Sequence, residues 1–91
     1  MTMTITHLGT GSRGNSTLLE TPNAKVLIDQ GFSGTQLAKR LARLQLAPED
    51  IDCVFITHHH GDHGGGAKVV QTKWNIPVLA NERTALELDL V

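Results

Sequence analysis

The sequence predicts a mixed α/β fold in which three strands come first and helices then alternate with further strands. Two observations support this class. Residues 3–8 alternate apolar and polar side chains with the two-residue period of a strand. Residues 34–46 instead place leucines at the spacing of one helix face, with basic residues between them. At 91 residues the chain has room for one domain and not for two.

The first three elements are predicted strands. After residues 3–8, a glycine-rich loop spans residues 9–14. Residues 16–21 and 25–29 are two further runs with strand character, and the proline-asparagine pair between them is a turn signal. These two runs therefore predict a β-hairpin.

The later elements complete the predicted order β-β-β-α-β-α-β-α. Ser33 is the predicted N-cap of the first helix, with Gln36 at the capping-box position, and the helix extends to residue 44 or 46 before Pro48. The apolar residues 51–57 predict a fourth strand that is buried on both faces. The remaining predicted elements are a second helix with Ala67, Val70 and Trp74 on one face, a fifth strand at residues 76–80 and a third helix at residues 82–90.

The composition is that of an ordinary globular protein. Hydrophobic residues make up 40% and the formal net charge is −1, which excludes a chain-wide basic surface for nucleic acid. Lys39, Arg40 and Arg43 are predicted to form a solvated helix face. The single cysteine, Cys53, excludes an internal disulfide. Because no long apolar run and no signal-peptide pattern is present, we expect a cytoplasmic location and no membrane partner.

Four of the five histidines are clustered directly after the fourth predicted strand. Residues two apart in an extended chain point to the same side, so His58 and His60 present their imidazoles together and His59 points away. A glycine turn then brings Asp62 and His63 back toward the same point. Nitrogen and oxygen ligands of this kind suit zinc, and also manganese or iron. We therefore expect these two pairs, without His59, to form one wall of a site for two ions.

A solvated histidine-rich loop or the remnant of a purification tag is the alternative interpretation of this cluster. A tag lies at a terminus and has no apolar strand before it, whereas this cluster follows residues 51–57 inside the chain. The position at a strand end therefore favours metal binding.

The stretch Thr57-His58-His59-His60-Gly61-Asp62-His63 resembles the T-H-x-H-x-D-H signature of the metallo-β-lactamase fold hydrolases. Residues 8–16 and 26–31 also resemble the YycJ-like, exonuclease-type branch of that family. The resemblance covers nearly the whole chain. It implies that residues 1–91 are one partial domain, the N-terminal half of an αββα sandwich. It also implies two divalent metal ions, zinc first, and hydrolysis by a hydroxide that bridges them.

The resemblance further implies roles for single residues. Asp62 would be both a metal ligand and the catalytic group that positions the hydroxide. Asp29, at the end of the third strand, would orient a metal-bound histidine by a hydrogen bond, and a plain turn residue is the alternative. Ser12 and Asn15, in the glycine-rich loop, are candidate substrate contacts.

Two functions follow as hypotheses. The branch favours phosphodiester hydrolysis in DNA, while thioesters, lactones and β-lactams stay open because this fold acts on many substrates. The family's remaining ligands, two histidines and an aspartate, come later in the chain, and no histidine follows His63 here. The alternative is therefore a non-catalytic half-domain, or truncated fragment, that binds metal weakly or needs a partner half. Such a half-sandwich would expose one apolar sheet face for association.

The glycine-rich loop also matches the G-x-G-x-x-G pattern of dinucleotide-binding folds. That fold requires a helix between the glycines and an acidic strand end, here Asp29. Residues 15–28 instead contain a predicted strand and the turn at Pro22, which leave no room for a helix. The pattern therefore does not predict nucleotide binding.

Overall fold

A computed structural model describes residues 2–11, 14–57 and 64–88. Within them, five strands and three α-helices follow the predicted order, which confirms the fold class. The strands are β1 (Thr4–Gly9), β2 (Ser16–Glu20), β3 (Lys25–Ile28), β4 (Cys53–Phe55) and β5 (Val78–Leu79). The helices are α1 (Gly34–Ala42), α2 (Ala67–Trp74) and α3 (Glu82–Glu87), and a short 3-10 turn (Pro48–Asp50) precedes β4.

The strands form one sheet in the order β1-β2-β3-β4-β5. β2 is antiparallel to both of its neighbours and forms the predicted hairpin with β3. β3, β4 and β5 are parallel, with α1 and α2 in the two connections. β1, β3, β4 and β5 therefore run in the same direction, and their carboxyl ends meet at one edge of the sheet. We call this edge the carboxyl edge.

The hydrophobic core lies between one face of the sheet and helices α1 and α2. Leu18, Leu27 and Val54 are in register across β2, β3 and β4 and are fully buried. Burial of each such side chain contributes roughly 1.5–3 kcal/mol. The fully buried helix residues of the same cluster are Leu37, Leu41, Ala67 and Val70.

The opposite face of the sheet is open in the part of the chain that the structure describes. Ile5, Phe55 and Leu79 on this face are 56%, 44% and 48% exposed. The predicted burial of the fourth strand on both faces is therefore wrong, because the described helices cover only one side. The expected exposed apolar face is confirmed. This open sheet face carries the apolar residues Ile5, Leu19, Val26, Ile28, Cys53, Phe55 and Leu79, together with the polar pair His7 and Thr17.

Helix α1 begins where the sequence predicts and ends earlier. The Ser33 hydroxyl accepts a hydrogen bond from the Gln36 backbone N–H at 3.2 Å, as expected of the N-cap. At the other end Gln45 is left-handed, with φ 61°, and the Leu46 N–H donates to the Leu41 carbonyl at 3.0 Å. This is a Schellman motif, whose left-handed position is usually occupied by glycine. Because glutamine fills the left-handed position, the sequence offered no signal for the earlier end.

The other boundaries differ from the predictions mainly at the ends of elements. β4 and β5 are shorter than the predicted ranges 51–57 and 76–80, and β1 is displaced toward Gly9. Residues 89–90, at the end of the predicted third helix, lie outside the described residues. Among the helices that the structure describes, none has the length and apolar character to cross a membrane.

Candidate metal centre

The predicted metal ligands themselves lie outside the described residues, and their assignment stays a prediction. The residues concerned are His58, His60, Asp62 and His63, together with the predicted non-ligand His59 and the candidate substrate contact Ser12. Within ranges 2–11, 14–57 and 64–88, no cluster of three or more histidine, cysteine or acidic side chains is placed to hold a metal ion. The structure instead describes the contacts of Thr57 and Gly66, which lie on either side of residues 58–63, the histidine segment.

Asp29 holds the residue that directly precedes the histidine segment. Its two carboxylate oxygens accept the Thr57 hydroxyl at 2.9 and 2.8 Å, and Oδ1 also accepts the Thr57 backbone N–H at 2.7 Å. The Asp29 backbone N–H donates to the Phe55 carbonyl at 2.6 Å. Asp29 is buried, and a buried carboxylate needs donors of this kind. Asp29 therefore ties the end of β3 to the point where His58 begins.

The backbone at Asp29 explains both the end of β3 and the choice of residue. Its φ of 64° lies in the left-handed region, where aspartate is favoured over most other non-glycine residues. The strand consequently ends at Ile28, one residue before the predicted end. Asp29 is thus a turn residue and a hydrogen-bonding carboxylate at once. Orientation of a metal-bound histidine stays a prediction, which the contact with Thr57 supports.

Gln30, the next residue, holds the chain where it returns from the histidine segment. Its side-chain Nε2 donates to the Phe32 carbonyl at 2.7 Å and to the Gly66 carbonyl at 3.4 Å. Its Oε1 accepts the Phe32 N–H at 3.1 Å, and its backbone carbonyl accepts the Gly66 N–H at 2.8 Å. Gln30 is fully buried. Sequence reasoning missed it, because one glutamine after a strand has no periodicity or motif to mark it.

The glycine at position 66 is required by this packing. A Cβ atom there would lie 2.0 Å from the Phe32 carbonyl oxygen and 2.2 Å from Gln30 Nε2, far inside van der Waals contact. Helix α2 begins at the following residue, with Gly66 as its N-cap. The chain therefore leaves the histidine segment through a tightly packed glycine and enters a helix at once.

The glycine-rich loop packs around the ring of Phe32. A Cβ at Gly9 would lie 2.5 Å from Phe32 Cζ, and one at Gly14 would lie 2.6 Å from Cε1. The Arg40 guanidinium lies over the same ring, 4.2 Å from its centre, and Nη1 donates to the Leu8 carbonyl at 2.5 Å. Arg40 is therefore half-buried, and its predicted place on a solvated helix face is wrong. The predicted solvated face keeps its other two members, Lys39 and Arg43, which are exposed.

Asn15 closes the glycine-rich loop through its side-chain amide. Its Oδ1 accepts the Gly11 N–H at 3.0 Å, and its Nδ2 donates to the Gly11 carbonyl at 2.8 Å. The Asn15 backbone carbonyl also accepts the Gly31 N–H at 3.1 Å, next to Gln30. These bonds give Asn15 a structural role at the carboxyl edge. Its contact with substrate stays a prediction.

We expect Asp29→Asn to weaken zinc binding by the full chain by roughly 10–100-fold, as losses of outer hydrogen-bond partners do. The substitution removes the negative charge and replaces one accepting oxygen by an NH2 group, which can no longer accept the Thr57 hydroxyl, while asparagine still tolerates the left-handed backbone. Competition with a chromogenic chelator measures the affinity. Asp50→Asn is the matched control, because exposed Asp50 bonds only the nearby Ala47 N–H among the described contacts. Equal zinc affinities in the two variants would refute this role for Asp29.

Several known proteins are similar to this chain in sequence and in structure. The family model of the metallo-beta-lactamase superfamily matches residues 9–89. Exodeoxyribonuclease WalJ of Streptococcus pneumoniae serotype 2 is 44% identical over 77 residues, which are 85% of this chain and 29% of that protein. Exodeoxyribonuclease YycJ of Bacillus anthracis is 36% identical over 77 residues, with the same two shares. The solved structure of Rm3 metallo-beta-lactamase matches with a TM-score of 0.76 and 31% identity, over 92% of this chain and 32% of that one.

The chain spans less than a third of the length of these two curated relatives. The family match contains the glycine-rich loop, Asp29, the histidine segment and Gly66. Two further features are consistent with the family match: the histidine motif that follows β4, and the order of strands and helices in the sheet. The chain belongs to the metallo-β-lactamase superfamily.

Proposed function

We propose that the protein is a metal-dependent hydrolase of phosphodiesters in DNA, with exonuclease activity and a cytoplasmic location. The observation that carries the proposal is the hydrogen bonding of Asp29 to Thr57 at the carboxyl edge. It fixes Thr57, which directly precedes a segment with four imidazoles, three of them predicted ligands, and one carboxylate. Two relatives named as exodeoxyribonucleases, at 44% and 36% identity, support DNA as the substrate.

The residue types of the histidine segment suit divalent metal ions. His58, His60 and His63 offer nitrogen donors and Asp62 offers oxygen, a set that zinc accepts and that manganese or iron also accept. The buried carboxylate of Asp29 lies beside the start of the segment. When bound, such ions would supply a water molecule of lowered pKa and polarise the scissile phosphodiester.

The chain's own residues would hold and orient this centre. Asp29 fixes the backbone N–H and hydroxyl of Thr57, the residue before His58, and Gln30 fixes Gly66, three residues after His63. Asp62 would bind metal and accept a hydrogen bond from the attacking water, so that the water faces the phosphorus. In this arrangement Asp29 and Gln30, which are not predicted ligands, would control the geometry of the side chains that bind metal.

Hydrolysis of end-labelled DNA tests the proposed function. With zinc or manganese, we expect the full-length protein to shorten single- or double-stranded DNA stepwise from an end. A chelator should stop the reaction and added metal should restore it. Parallel reactions contain RNA of the same sequence, a β-lactam, a lactone and a thioester. Metal-dependent hydrolysis of one of these without cleavage of DNA would overturn the DNA assignment, and no hydrolysis of any of them would overturn the proposed hydrolase.

We also propose that a second sheet covers the open sheet face in the full-length protein, as in an αββα sandwich. Residues 1–91 would then be one partial domain, with the remaining metal ligands contributed by the second half. Two observations support this arrangement. Phe55 and Leu79 leave an apolar surface without cover in the described structure, and the chain spans 29% of its exodeoxyribonuclease relatives. The alternative is association of this face with a separate partner half.

The reactivity of the Cys53 thiol tests whether a second sheet covers the open sheet face, because Cys53 lies on that face. Burial raises the pKa of its thiol, and the negative charge of Asp52 raises it further. A raised pKa leaves less reactive thiolate near neutral pH, so we expect alkylation of residues 1–91 by iodoacetamide to become fast only at alkaline pH. In the full-length protein we expect slower alkylation at every pH. Equal rates, at concentrations where both proteins are monomers by size exclusion, would contradict the proposed cover.

A further inference from the structure

Two consecutive residues hold the chain on both sides of the histidine segment. Asp29 bonds Thr57, which precedes it, and Gln30 bonds Gly66, which follows it. We propose that Gln30 is a positioning residue that sets the metal affinity of the centre by fixing the point where the chain returns. This inference rests on the metal centre of the proposed function, and goes beyond it by assigning a role to a side chain that is not a ligand.

The amide of Gln30 is matched to its surroundings. It donates to two carbonyls, those of Phe32 and Gly66, and it accepts the Phe32 N–H. A primary amide offers two donors and an acceptor at the end of one side chain, whereas ionised glutamate lacks the donors and methionine offers only a weakly accepting sulfur. Because the site is fully buried, loss of the amide would leave polar backbone groups without partners in a low-dielectric interior.

Gly66 is held through both of its peptide groups. Its N–H donates to the Gln30 backbone carbonyl at 2.8 Å, and its carbonyl accepts the Gln30 side chain at 3.4 Å. The same carbonyl accepts the Val70 N–H at 3.3 Å in the first turn of α2. Only Gly64 and Gly65 separate Gly66 from His63. A displacement of Gly66 would therefore also displace His63, a predicted ligand.

Asp29 and Gln30 are adjacent in the chain, so one turn bonds both Thr57 and Gly66. We call this pair of contacts the clamp. The two anchor points, Thr57 and Gly66, are bonded to neighbouring residues of one turn, Asp29 and Gln30. Metal ligands must be held within about 0.5 Å of their working positions for strong binding. Loss of the Gln30 amide should therefore weaken metal binding more than a core substitution elsewhere that lowers the free energy of unfolding by the same amount.

The experiment compares variants of the full-length protein at matched stability. Gln30→Met removes the amide and keeps a similar length. Leu41→Ala lowers stability through a cavity in the same core, because Leu41 is fully buried. Gln36→Met makes the same chemical change on the exposed surface of α1. The measurements are the thermal midpoint, the zinc dissociation constant by chelator competition, and the visible absorption spectrum of the cobalt-substituted protein.

We expect Gln30→Met to weaken zinc binding by about tenfold or more and to shift the cobalt absorption bands. Leu41→Ala, at an equal or lower thermal midpoint, should keep both properties, and Gln36→Met should match the wild type. If Gln30→Met does not fold, Gln30→Asn, an amide one methylene shorter, takes its place. Wild-type zinc affinity in the Gln30 variant, or losses that follow thermal stability in all variants, would overturn the inference.

Hydrogen exchange at the Gly66 amide provides a readout that needs no metal. We expect it to be faster in Gln30→Met than in Leu41→Ala, and unchanged exchange would reject the clamp directly. A wild-type protein that binds zinc but hydrolyses no DNA would overturn the proposed function and leave the clamp standing. A wild-type protein that binds no metal would overturn both.

Discussion

Asp62→Ala should abolish metal-dependent hydrolysis by the full-length protein, whereas His59→Ala should retain it. Asp62 is predicted to serve both as a ligand and as the group that orients water, so its removal acts on binding and on chemistry together. The loss should exceed the roughly 10–100-fold typical of residues that only support ligands. Stepwise shortening of end-labelled DNA with zinc or manganese gives the rate.

His59 makes the comparison specific, because it belongs to the same histidine segment and is predicted to face away from the ligands. Its replacement removes an imidazole without removing a predicted ligand. Zinc content per chain, measured on the same preparations, separates lost binding from lost chemistry. Full activity in Asp62→Ala would overturn its assigned role, and an equal loss in both variants would mean that the alternation of the segment was predicted wrongly.

Gly66→Ala should have the largest effect on stability among the glycine substitutions. The added Cβ would be 2.0 Å from the Phe32 carbonyl oxygen and 2.2 Å from Gln30 Nε2, so both groups must move and the Gln30 hydrogen bonds must break. We expect a loss of about 3 kcal/mol, at the upper end of overpacking penalties. The free energy of unfolding, from urea titration followed by circular dichroism, measures it.

The matched control for this substitution is Gly65→Ala, because Gly65 is the neighbouring glycine and is exposed. It should change the free energy of unfolding far less. Gly66→Ala should also weaken zinc binding, since it displaces the anchor that Gln30 holds. A Gly66→Ala protein as stable as the wild type would show that the turn relaxes around a methyl group, which would argue against a rigid return of the chain.

Local sequence determined the order of elements, several of their boundaries and the chemistry of the histidine segment. The two-residue period of β1, the Ser33 cap and the contiguous motif after β4 all involve residues close together in the chain. Such features can be predicted from sequence because neighbouring residues directly determine strand alternation, capping and ligand type. The same local reasoning identified Asp29 as a residue at a strand end, but it did not identify its partner.

Only the tertiary structure decided how the candidate site is held. Asp29 meets Thr57 across 28 positions and Gln30 meets Gly66 across 36, while Phe32 explains the glycines at positions 9 and 14. One-sided cover of β4 likewise depends on where α1 and α2 pack. These features are contacts between distant parts of the chain, which packing of the whole domain selects. Because no local period encodes such contacts, the bonds of buried Gln30 to Phe32 and Gly66 become apparent only when the fold brings these residues together.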